Sequence, residues 1–312
     1  MLDTGYLLDI IIINYKSTDF LFNNLKSVYR FVKNTPVRIQ VHDNGSGDGL
    51  ECVRTMFPKV NIYRNSYNMG FAKATNNALK RSTAPYIMII NPDTVIKDGF
   101  FESILEFMDT NPDVGIAGPK IFNDDGTIQG SARSFPSIHS AFFGRTSFLT
   151  KLFPNSRFSR ANILTKINDG KTPMEVDWVS GACLVVRRQA FEDVGYLDES
   201  FFMYWEDVDW CKRMWANGWK IVYFPLASVM HYIGGSSDNN VFQSVLEFHK
   251  SAYHFCSKHM KPSLAFLRPA FFTAYFFGIC SRFLLVLLVK SITHIFDGIA
   301  RSSISLERET LK

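Results

Sequence analysis

Acidic side chains stand at three places in the sequence where they could take part in acid–base or metal chemistry. Asp43 follows a strand-like segment that ends in Val41-His42, Asp93 comes shortly after an apolar run, and Glu206 and Asp207 follow a segment rich in aromatic residues. Carboxylate oxygens bind Mg2+ or Mn2+ beside phosphates, and a carboxylate among large aromatic side chains is partly desolvated, which raises its pKa and suits a general base. A reaction that releases a nucleoside diphosphate needs such a cation, such a base and a pocket for the nucleoside. The three positions offer a candidate for each need.

Asp93 and His231 are the candidate metal ligands, and both also have a structural explanation. In the triplet Asn91-Pro92-Asp93 the carboxylate follows a fully apolar run, but it could equally cap or turn the chain before a helix near Asp98. His231 follows a strand-like run, and its neutral imidazole could complete a metal shell that Asp93 begins. A lone histidine is more often structural, so the sequence alone leaves the metal site as a hypothesis.

The other acidic positions also allow two interpretations. Asp43 opens the sequence Asp-Asn-Gly-Ser-Gly, where it could accept a hydrogen bond from the imide nitrogen of uracil or thymine or from a ribose hydroxyl. It could equally be a turn residue, since Asp, Asn and Gly all favour turns. The acids at 206–209 are also favoured in the first turn of a helix by the helix dipole. Their aromatic surroundings favour a catalytic role for this segment.

Strand-like and helix-like segments alternate along the first ninety residues. A continuous apolar run from Leu8 to Ile13 ends at Asn14, and Ser17 or Thr18 could cap the amphipathic helix that follows. The alternation continues with strands at 37–41, 61–63 and 86–90 and with helices at 50–57 and 71–81. It predicts right-handed crossovers and an α/β fold in which helices flank a mostly parallel sheet.

Polar residues follow each predicted strand, and ligands bind parallel sheets beyond the carboxyl ends of the strands. These residues are Asn14-Tyr15, Asp43-Asn44-Gly45, Asn65 to Gly70 and Asn91-Pro92-Asp93. We therefore expect all four groups to converge at one edge of the sheet.

Beyond residue 120 the pattern is less regular. From Lys120 to Met174 periodicity gives way to Gly, Ser, Pro, Arg and Phe, over a length typical of a substrate-covering loop. Regular elements resume with an apolar run at 176–186, helices at 188–194 and 205–217, a strand at 221–224 and a long helix at 241–259.

Length and composition limit the possible protein classes. A chain of 312 residues with 46% hydrophobic residues can bury the core of one large α/β domain and carry an appendage. The five cysteines show no C-x-x-C pair, which argues against a zinc site or disulfide framework and favours a reducing, cytosolic compartment. The net charge of +5 is modest and identifies no partner by itself, so no nucleic-acid ligand is predicted.

The carboxyl-terminal region predicts an apolar helical appendage. Between Arg268 and Lys290 only Arg282 is charged. About 20 apolar residues could span a bilayer, but a central arginine costs roughly 2.5–3.5 kcal/mol on insertion scales. Helices lying in the membrane interface, with basic side chains reaching the head groups, fit better. A core helix or a homodimer interface is the alternative.

Taken together, these segments resemble the inverting glycosyltransferases of family 2, which have the GT-A fold, and in particular their bacterial rhamnosyltransferase-like branch. The resemblance covers about residues 8–236. It rests on motifs that agree in order and spacing: the run ending in Asn14-Tyr15, Val-His-Asp-Asn-Gly-Ser-Gly-Asp-Gly from Val41, Asn-Met-Gly-Phe-Ala-Lys-Ala-Thr-Asn from Asn68, Asn-Pro-Asp-Thr from Asn91, Trp-Val-Ser-Gly-Ala-Cys from Trp178, Phe-Phe-Met-Tyr-Trp-Glu-Asp-Val-Asp from Phe201, and His231.

The resemblance implies a role for each matching residue. Asp207 would be the catalytic base, and Asp93 and His231 would bind Mg2+ or Mn2+. Asn91 stands where a full D-x-D motif has aspartate, so metal binding would depend more on the donor diphosphate. The donor would lie against Asn14, Tyr15, Asp43, Asn68, Gly70, Phe71, Asn76 and Asn91, and the sugar and acceptor against Trp178, Gly181, Tyr204, Trp205 and Glu206.

The resemblance also implies substrates and a domain division, and the apolar carboxyl-terminal region predicts a location. A dTDP- or UDP-sugar would be the donor, with rhamnose favoured, and a saccharide or polyprenyl-linked saccharide the acceptor, as in O-antigen or capsule assembly. Residues 1–236 would form the catalytic domain, with a nucleotide-binding half to about 119 and an acceptor half from about 120. Residues 237–312 would meet an anionic membrane surface at the cytoplasmic face of the inner (plasma) membrane, peripherally or as a carboxyl-terminal anchor.

Two alternatives of other classes remain at this level. A non-catalytic nucleotide-sugar-binding scaffold subunit of a membrane polysaccharide-assembly complex would be expected to lack Asp93 or Asp207, and both are present. A sugar-nucleotide pyrophosphorylase should carry a Gly-rich, basic loop after its first strand, where this chain has Asn14-Tyr15-Lys16-Ser17.

Overall fold

The computed structural model describes residues 5–47, 49–136, 163–232 and 241–259, with short helical stretches between 269 and 288. The chain forms two compact units, one of Met1–Phe202 with Glu206–Asp238 and the other of Met203–Trp205 with Asn239–Lys312. The domain boundary predicted at 236 lies outside the described residues and stays a prediction. The predicted division at 119 falls within a strand.

A nine-stranded sheet forms the centre of the described part of the first unit. Its order is β3-β2-β1-β4-β10-β6-β11-β5, with β8 paired to β11. The bounds are β1 Leu8–Asn14, β2 Val37–Asp43, β3 Asn61–Arg64, β4 Tyr86–Ile90, β5 Thr94–Ile96, β6 Val114–Phe122, β8 Met174–Glu175, β10 Cys183–Arg187 and β11 Lys220–His231. Strands β7 (Ala132–Arg133) and β9 (Trp178–Val179) form a second, small sheet.

Six of the nine strands of the large sheet run in the same direction. Strands β3, β2, β1 and β4 run in one direction, and β11 is parallel to β6. Strand β10 lies between β4 and β6 and is antiparallel to both. The predicted α/β fold with a mostly parallel sheet is therefore confirmed, with β10 reversed at its centre and β5 and β8 antiparallel to β11.

Helices cover both faces of this sheet, as the strand–helix alternation predicts. Buried side chains of α1, α2 and α4 pack with Leu8, Ile10 and Ile12 on one face. Those of α3, α5 and α6 pack with Ile11 and Ile13 on the other. The helix bounds are α1 Thr18–Phe31, α2 Glu51–Met56, α3 Phe71–Leu79, α4 Phe100–Thr110, α5 Arg188–Val194 and α6 Glu206–Ala216. The run Leu8–Asn14 is wholly buried because successive side chains enter the two cores in turn.

Three local predictions from the sequence were incomplete. Strand β6 was not predicted, because Gly115, Gly118 and Pro119 interrupt its apolar pattern. A β-carbon at residue 118 would come within 2.6 Å of the Val179 side chain, so the close approach of these segments explains that glycine. The strand predicted to end at Phe224 continues to His231, and the register shift after Phe224 accommodates Pro225. Ser17 precedes α1, but its hydroxyl donates to the Tyr15 carbonyl and does not cap the helix.

The second unit contains the helix α7, Val241–His259, as the sequence predicts. The rings of Tyr204 and Trp205 pack on this helix, with centroids 5.8 and 5.7 Å from that of Phe248. Large apolar side chains are exposed in this unit: Phe242, Phe276, Phe277, Leu284, Leu285 and Leu288. Among the described residues no helix is both long and apolar enough to cross a bilayer.

Candidate active site

The carboxyl ends of β1 and β2 bring Asn14 and Asp43 together. These residues are paired in the parallel register, and the Asn14 side-chain amide donates to Asp43 Oδ1 at 3.2 Å. The same amide lies 3.3 Å from Ser46 Oγ, which accepts a hydrogen bond from the Lys16 backbone N–H at 2.8 Å. Asn14 and Asp43 are both buried, whereas Tyr15 is partly exposed at the strand end. This cluster holds the Asp43 carboxylate in one orientation at the predicted edge of the sheet.

Asn44 organises the turn that leads into α3. Its amide nitrogen donates to Asn68 Oδ1 at 2.9 Å and to the Gly70 carbonyl at 3.2 Å. Its amide oxygen accepts from Asn65 Nδ2 and the Met69 N–H, both at 3.2 Å. Asn68 in turn accepts from the Gly70 N–H at 3.0 Å. One buried amide thus connects the end of β2 to the turn at 65–70.

Gly70 and Phe71 fix the start of α3 against the segment that precedes the acidic helix. Gly70 has a φ of +88°, and a β-carbon there would lie 2.6 Å from the Phe202 carbonyl oxygen. That carbonyl accepts a hydrogen bond from the Phe71 N–H at 2.6 Å. Only glycine fits this backbone and this approach without strain.

Asn44→Ala is expected to lower the free energy of unfolding by about 3 kcal/mol, because four hydrogen-bonding partners lose the buried amide that they share. Urea denaturation followed by circular dichroism measures this. The matched control is Asn217→Ala, since Asn217 makes an exposed bond to the Arg213 carbonyl. Equal midpoints for the two variants would show that Asn44 does not organise the turn.

Asp93 and His231 meet although 138 residues separate them (231 − 93). Strand β5 follows the Asn91-Pro92-Asp93 turn and pairs with the end of β11, so that Thr94 lies opposite His231. His231 Nε2 is 3.2 Å from Asp93 Oδ1. The turn is held by the Asn24 amide, which donates to the carbonyls of Asn91 at 3.1 Å and Thr94 at 2.7 Å.

This pair suits a divalent cation that is shared with a diphosphate. In the described part of the chain no group of three or more His, Cys, Asp or Glu residues is arranged around a metal position. One carboxylate and one imidazole fill only two coordination positions of Mg2+ or Mn2+ and leave the others for further ligands. In nucleotide sites, water and substrate phosphates fill the remaining positions of Mg2+. The donor set therefore fits a cation that arrives with its nucleotide.

The acidic pair lies at the beginning of α6, and the backbone orients one member of it. Asp207 Oδ2 accepts the Gly181 N–H and Oδ1 accepts the Val208 N–H, both at 2.8 Å. Burial raises the pKa of Asp207, although these backbone bonds and the positive charge of Arg133 oppose the rise. Burial and the Asp207 charge raise the pKa of Glu206 well above its usual range. The two acids thus differ in environment, and Asp207 is the one whose carboxylate accepts backbone N–H bonds from both Gly181 and Val208.

The backbone of two successive residues connects the acidic pair to the candidate metal site. Gly181 donates its N–H to Asp207, and the carbonyl of the next residue, Ala182, accepts the Asn91 N–H at 2.9 Å. Both residues lie just before β10, the strand that pairs with β4. The reversed strand therefore brings the acidic helix and the Asn91-Pro92-Asp93 turn to one place.

The sequence profile described as Glycosyl transferase family 2 matches residues 9–195, which is more than half of the chain. The chain belongs to glycosyl transferase family 2. Its matched segment contains Asn14, Asp43 and the Asn91-Pro92-Asp93 turn described above. Membership confirms the resemblance inferred from the motifs and makes the protein a glycosyltransferase.

Relatives of this family 2 chain include rhamnosyltransferases. The N-acetylglucosaminyl-diphospho-decaprenol L-rhamnosyltransferase of Mycobacterium tuberculosis is 32% identical over 232 residues, which are 70% of this chain and 74% of that protein. The dTDP-rhamnosyl transferase RfbF of Shigella flexneri is 24% identical, over 69% of this chain and 66% of that protein. The crystal structure of GalNAc-T7 with UDP, GalNAc and Mn2+ superposes with a TM-score of 0.56 at 14% identity, over 75% of this chain and 45% of that one, and shows a shared fold.

Several residues predicted to face substrates in this family 2 enzyme make defined contacts within the protein. Asn76 donates to the Leu197 carbonyl and to Glu199, and accepts from the Leu197 N–H. Its amide therefore connects α3 to the loop that follows α5. Trp178 donates from Nε1 to the Ser134 carbonyl at 3.0 Å. Tyr204 and Trp205 have positive φ values of 69° and 70°, and this rare backbone is typical of constrained functional segments. The substrate contacts of all four residues stay predictions.

Other residues of the site were not recognised in the sequence. Asn24 and Asn44 hold the turns, Gln129 contacts His231, and Arg133 places a positive charge near Asp207. Asn24 lies within an ordinary amphipathic helix, and Gln129 and Arg133 lie in the irregular region after residue 120. No local pattern marks these residues, because their partners are distant along the chain.

Proposed function

We propose that this enzyme transfers rhamnose from dTDP-rhamnose to a lipid-linked saccharide, with inversion at the anomeric carbon, in the assembly of a cell-surface polysaccharide. The names of the relatives support the sugar and the acceptor class. The observation that carries the mechanism is Asp207, a half-buried carboxylate held by two backbone N–H groups and connected through Gly181-Ala182 to the turn that bears Asp93.

The proposed reaction is a single displacement. Asp207 accepts the proton of the acceptor hydroxyl while the hydroxyl oxygen attacks the anomeric carbon from the face opposite the nucleotide. The bond between that carbon and the phosphate oxygen breaks, and the electron pair leaves with the nucleoside diphosphate. The raised pKa of Asp207 makes it a stronger base than an ordinary aspartate.

The other residues would bind and orient the donor. Asp43, fixed by Asn14, would accept a hydrogen bond from the imide N–H of thymine. Asp93 and His231 would hold Mg2+ or Mn2+, which supplies positive charge that neutralises the departing diphosphate. Arg133, whose charge acts on Asp207, would add positive potential on the acceptor side.

The test is a transfer assay with a purified polyprenyl-diphosphate-linked N-acetylglucosamine and a panel of dTDP- and UDP-sugars, each with Mg2+, Mn2+ or EDTA. The expected result is metal-dependent transfer from dTDP-rhamnose, with a product of inverted anomeric configuration by NMR. Transfer from a UDP-hexose alone would overturn the assignment of rhamnose. Donor binding without transfer to any acceptor would favour the scaffold alternative.

We also propose that the second unit attaches the enzyme to the cytoplasmic face of an anionic membrane, where a lipid-linked acceptor lies. Phe277 and Leu284 are 63% and 64% exposed, and single soluble proteins rarely leave such side chains grouped in water. From residue 248 to 296 the sequence contains six Lys and Arg residues and no Asp or Glu. Exposed apolar side chains in a segment whose sequence is basic favour a membrane surface with anionic head groups.

Replacing Phe277 and Leu284 by serine is expected to reduce binding to vesicles of phosphatidylglycerol and phosphatidylcholine by at least tenfold, because apolar side chains leave the interface. Co-sedimentation measures binding, and transfer to a soluble acceptor should not change. Leu226→Ser, at a residue of the first unit that is 58% exposed, is the control. Unchanged vesicle binding by the double variant would refute membrane attachment through this surface. So would a wild-type dimer that becomes monomeric in the double variant.

A further inference from the structure

Gln129 contacts His231 at two points, and both contacts come from its side-chain amide. Gln129 Nε2 donates to the His231 backbone carbonyl at 3.1 Å. Gln129 Oε1 lies 3.2 Å from Nδ1 of the His231 ring. The two residues are 102 positions apart in the sequence.

These contacts determine which ring nitrogen of His231 carries the proton. A backbone carbonyl only accepts hydrogen bonds, so the NH2 group of the amide must face it. The amide oxygen then faces Nδ1, and an oxygen that only accepts requires Nδ1 to be the donor. A neutral His231 is therefore held as the Nδ1–H tautomer, and its lone pair lies on Nε2.

The lone pair on Nε2 is directed to the place where a cation would bind. Nε2 is 3.2 Å from Asp93 Oδ1. A lone pair and a carboxylate oxygen repel each other at this distance unless a positive charge interacts with both. We infer that Gln129 is a positioning residue that fixes the His231 tautomer so that Nε2 and Asp93 together bind the divalent cation. This inference rests on the metal-dependent transfer proposed above.

Gln129 is held firmly enough to act in this way. Its backbone N–H donates to the Ile121 carbonyl and its own carbonyl accepts the Ser131 N–H, both at 2.8 Å. Its side chain is only 9% exposed. Hydrogen bonds from outer residues to a metal-binding histidine typically change metal affinity by about 10- to 100-fold when they are removed.

Two substitutions separate selection of the tautomer from simple support of the backbone. Gln129→Met and Gln129→Glu both lose the bond to the His231 carbonyl, but Gln129→Glu keeps an acceptor for Nδ1–H. In the presence of dTDP we expect Gln129→Met to weaken Mn2+ binding by about 10- to 100-fold and Gln129→Glu to bind nearly as tightly as wild type. Electron paramagnetic resonance measures the concentration of free Mn2+. The control variant is Gln189→Met, at an exposed position of α5.

A second measurement needs no metal. In protein labelled with 15N-histidine, a His231→Asn variant identifies the His231 signals among those of the seven histidines. These signals should report the Nδ1–H tautomer in wild type and in Gln129→Glu. In Gln129→Met they should report a mixture of the two tautomers. Equal Mn2+ affinities for the two variants, or an Nε2–H tautomer in wild type, would overturn the role of Gln129. Absence of Mn2+ binding by wild type with dTDP would instead overturn the metal dependence in the proposed function.

Discussion

Asp207→Asn is expected to lower kcat for sugar transfer by about 10³-fold, because asparagine cannot accept the acceptor proton. The side chains have nearly the same size, and the asparagine oxygen can still accept one of the two backbone N–H bonds from Gly181 and Val208. The affinity for the nucleotide-sugar, measured by calorimetry with Mn2+, should therefore stay close to that of wild type. Loss of transfer with retained donor binding would identify the base.

Glu206→Gln is the matched comparison for this experiment. Burial and the neighbouring Asp207 charge raise the pKa of Glu206 well above its usual range, so glutamine resembles the neutral acid and should retain most of the activity. Burial also raises the pKa of Asp207, and the base must be ionised to work. Transfer by wild type should thus decline on acidification at a pH above that of an ordinary aspartate. If Glu206→Gln lost more transfer activity than Asp207→Asn, Glu206 and not Asp207 would be the base.

Asp9→Ala is expected to lower the free energy of unfolding by about 3–5 kcal/mol, the typical cost of removing one partner from a buried ion pair. Asp9 has no exposed side-chain surface, and Arg38 donates to its two oxygens at 2.7 and 2.8 Å. The backbone N–H groups of Thr83 and Ala84 donate to the same carboxylate at 2.7 and 2.9 Å. The substitution therefore leaves a guanidinium and two N–H groups without their acceptor, and thermal or urea unfolding measures the loss.

Asp113→Ala is the control for Asp9→Ala. Asp113 pairs with Lys220 at 2.8 Å, and both side chains are substantially exposed. Water replaces such a pair readily, so little change in the unfolding midpoint is expected. Similar midpoints for Asp9→Ala and Asp113→Ala would show that the buried carboxylate has no special part in stability.

The sequence predicts the donor side of this enzyme better than the acceptor side, for a physical reason. Strands β1 to β4 follow from the local alternation of strand-like and helix-like segments, and in a parallel sheet their ends must lie at one edge, so the proximity of Asn14 and Asp43 follows from the pattern. The contact between Asp93 and His231 depends on β11 continuing through a bulge beside Pro225, which the pattern does not reveal. The role of Gln129 depends on a contact over 102 residues with no periodic signal. Family resemblance, and not periodicity, singled out Asp207 as the base within the acidic segment, whereas His231 was proposed as a metal ligand from its place after a strand-like run.

The position of β10 has a consequence for synthesis of the protein on the ribosome. Residues 183–187 occupy the centre of the sheet, between β4 and β6, so each of those strands lacks its neighbour on that side until the chain has grown past residue 187. All five residues of β4 are buried in the folded protein. Until β10 is made, one edge of this apolar strand has no partner and can pair with other nascent chains. Expression of residues 1–119 alone, which include most of the donor-binding side chains, should therefore yield aggregates, and chaperones should engage the chain mainly before β10 emerges.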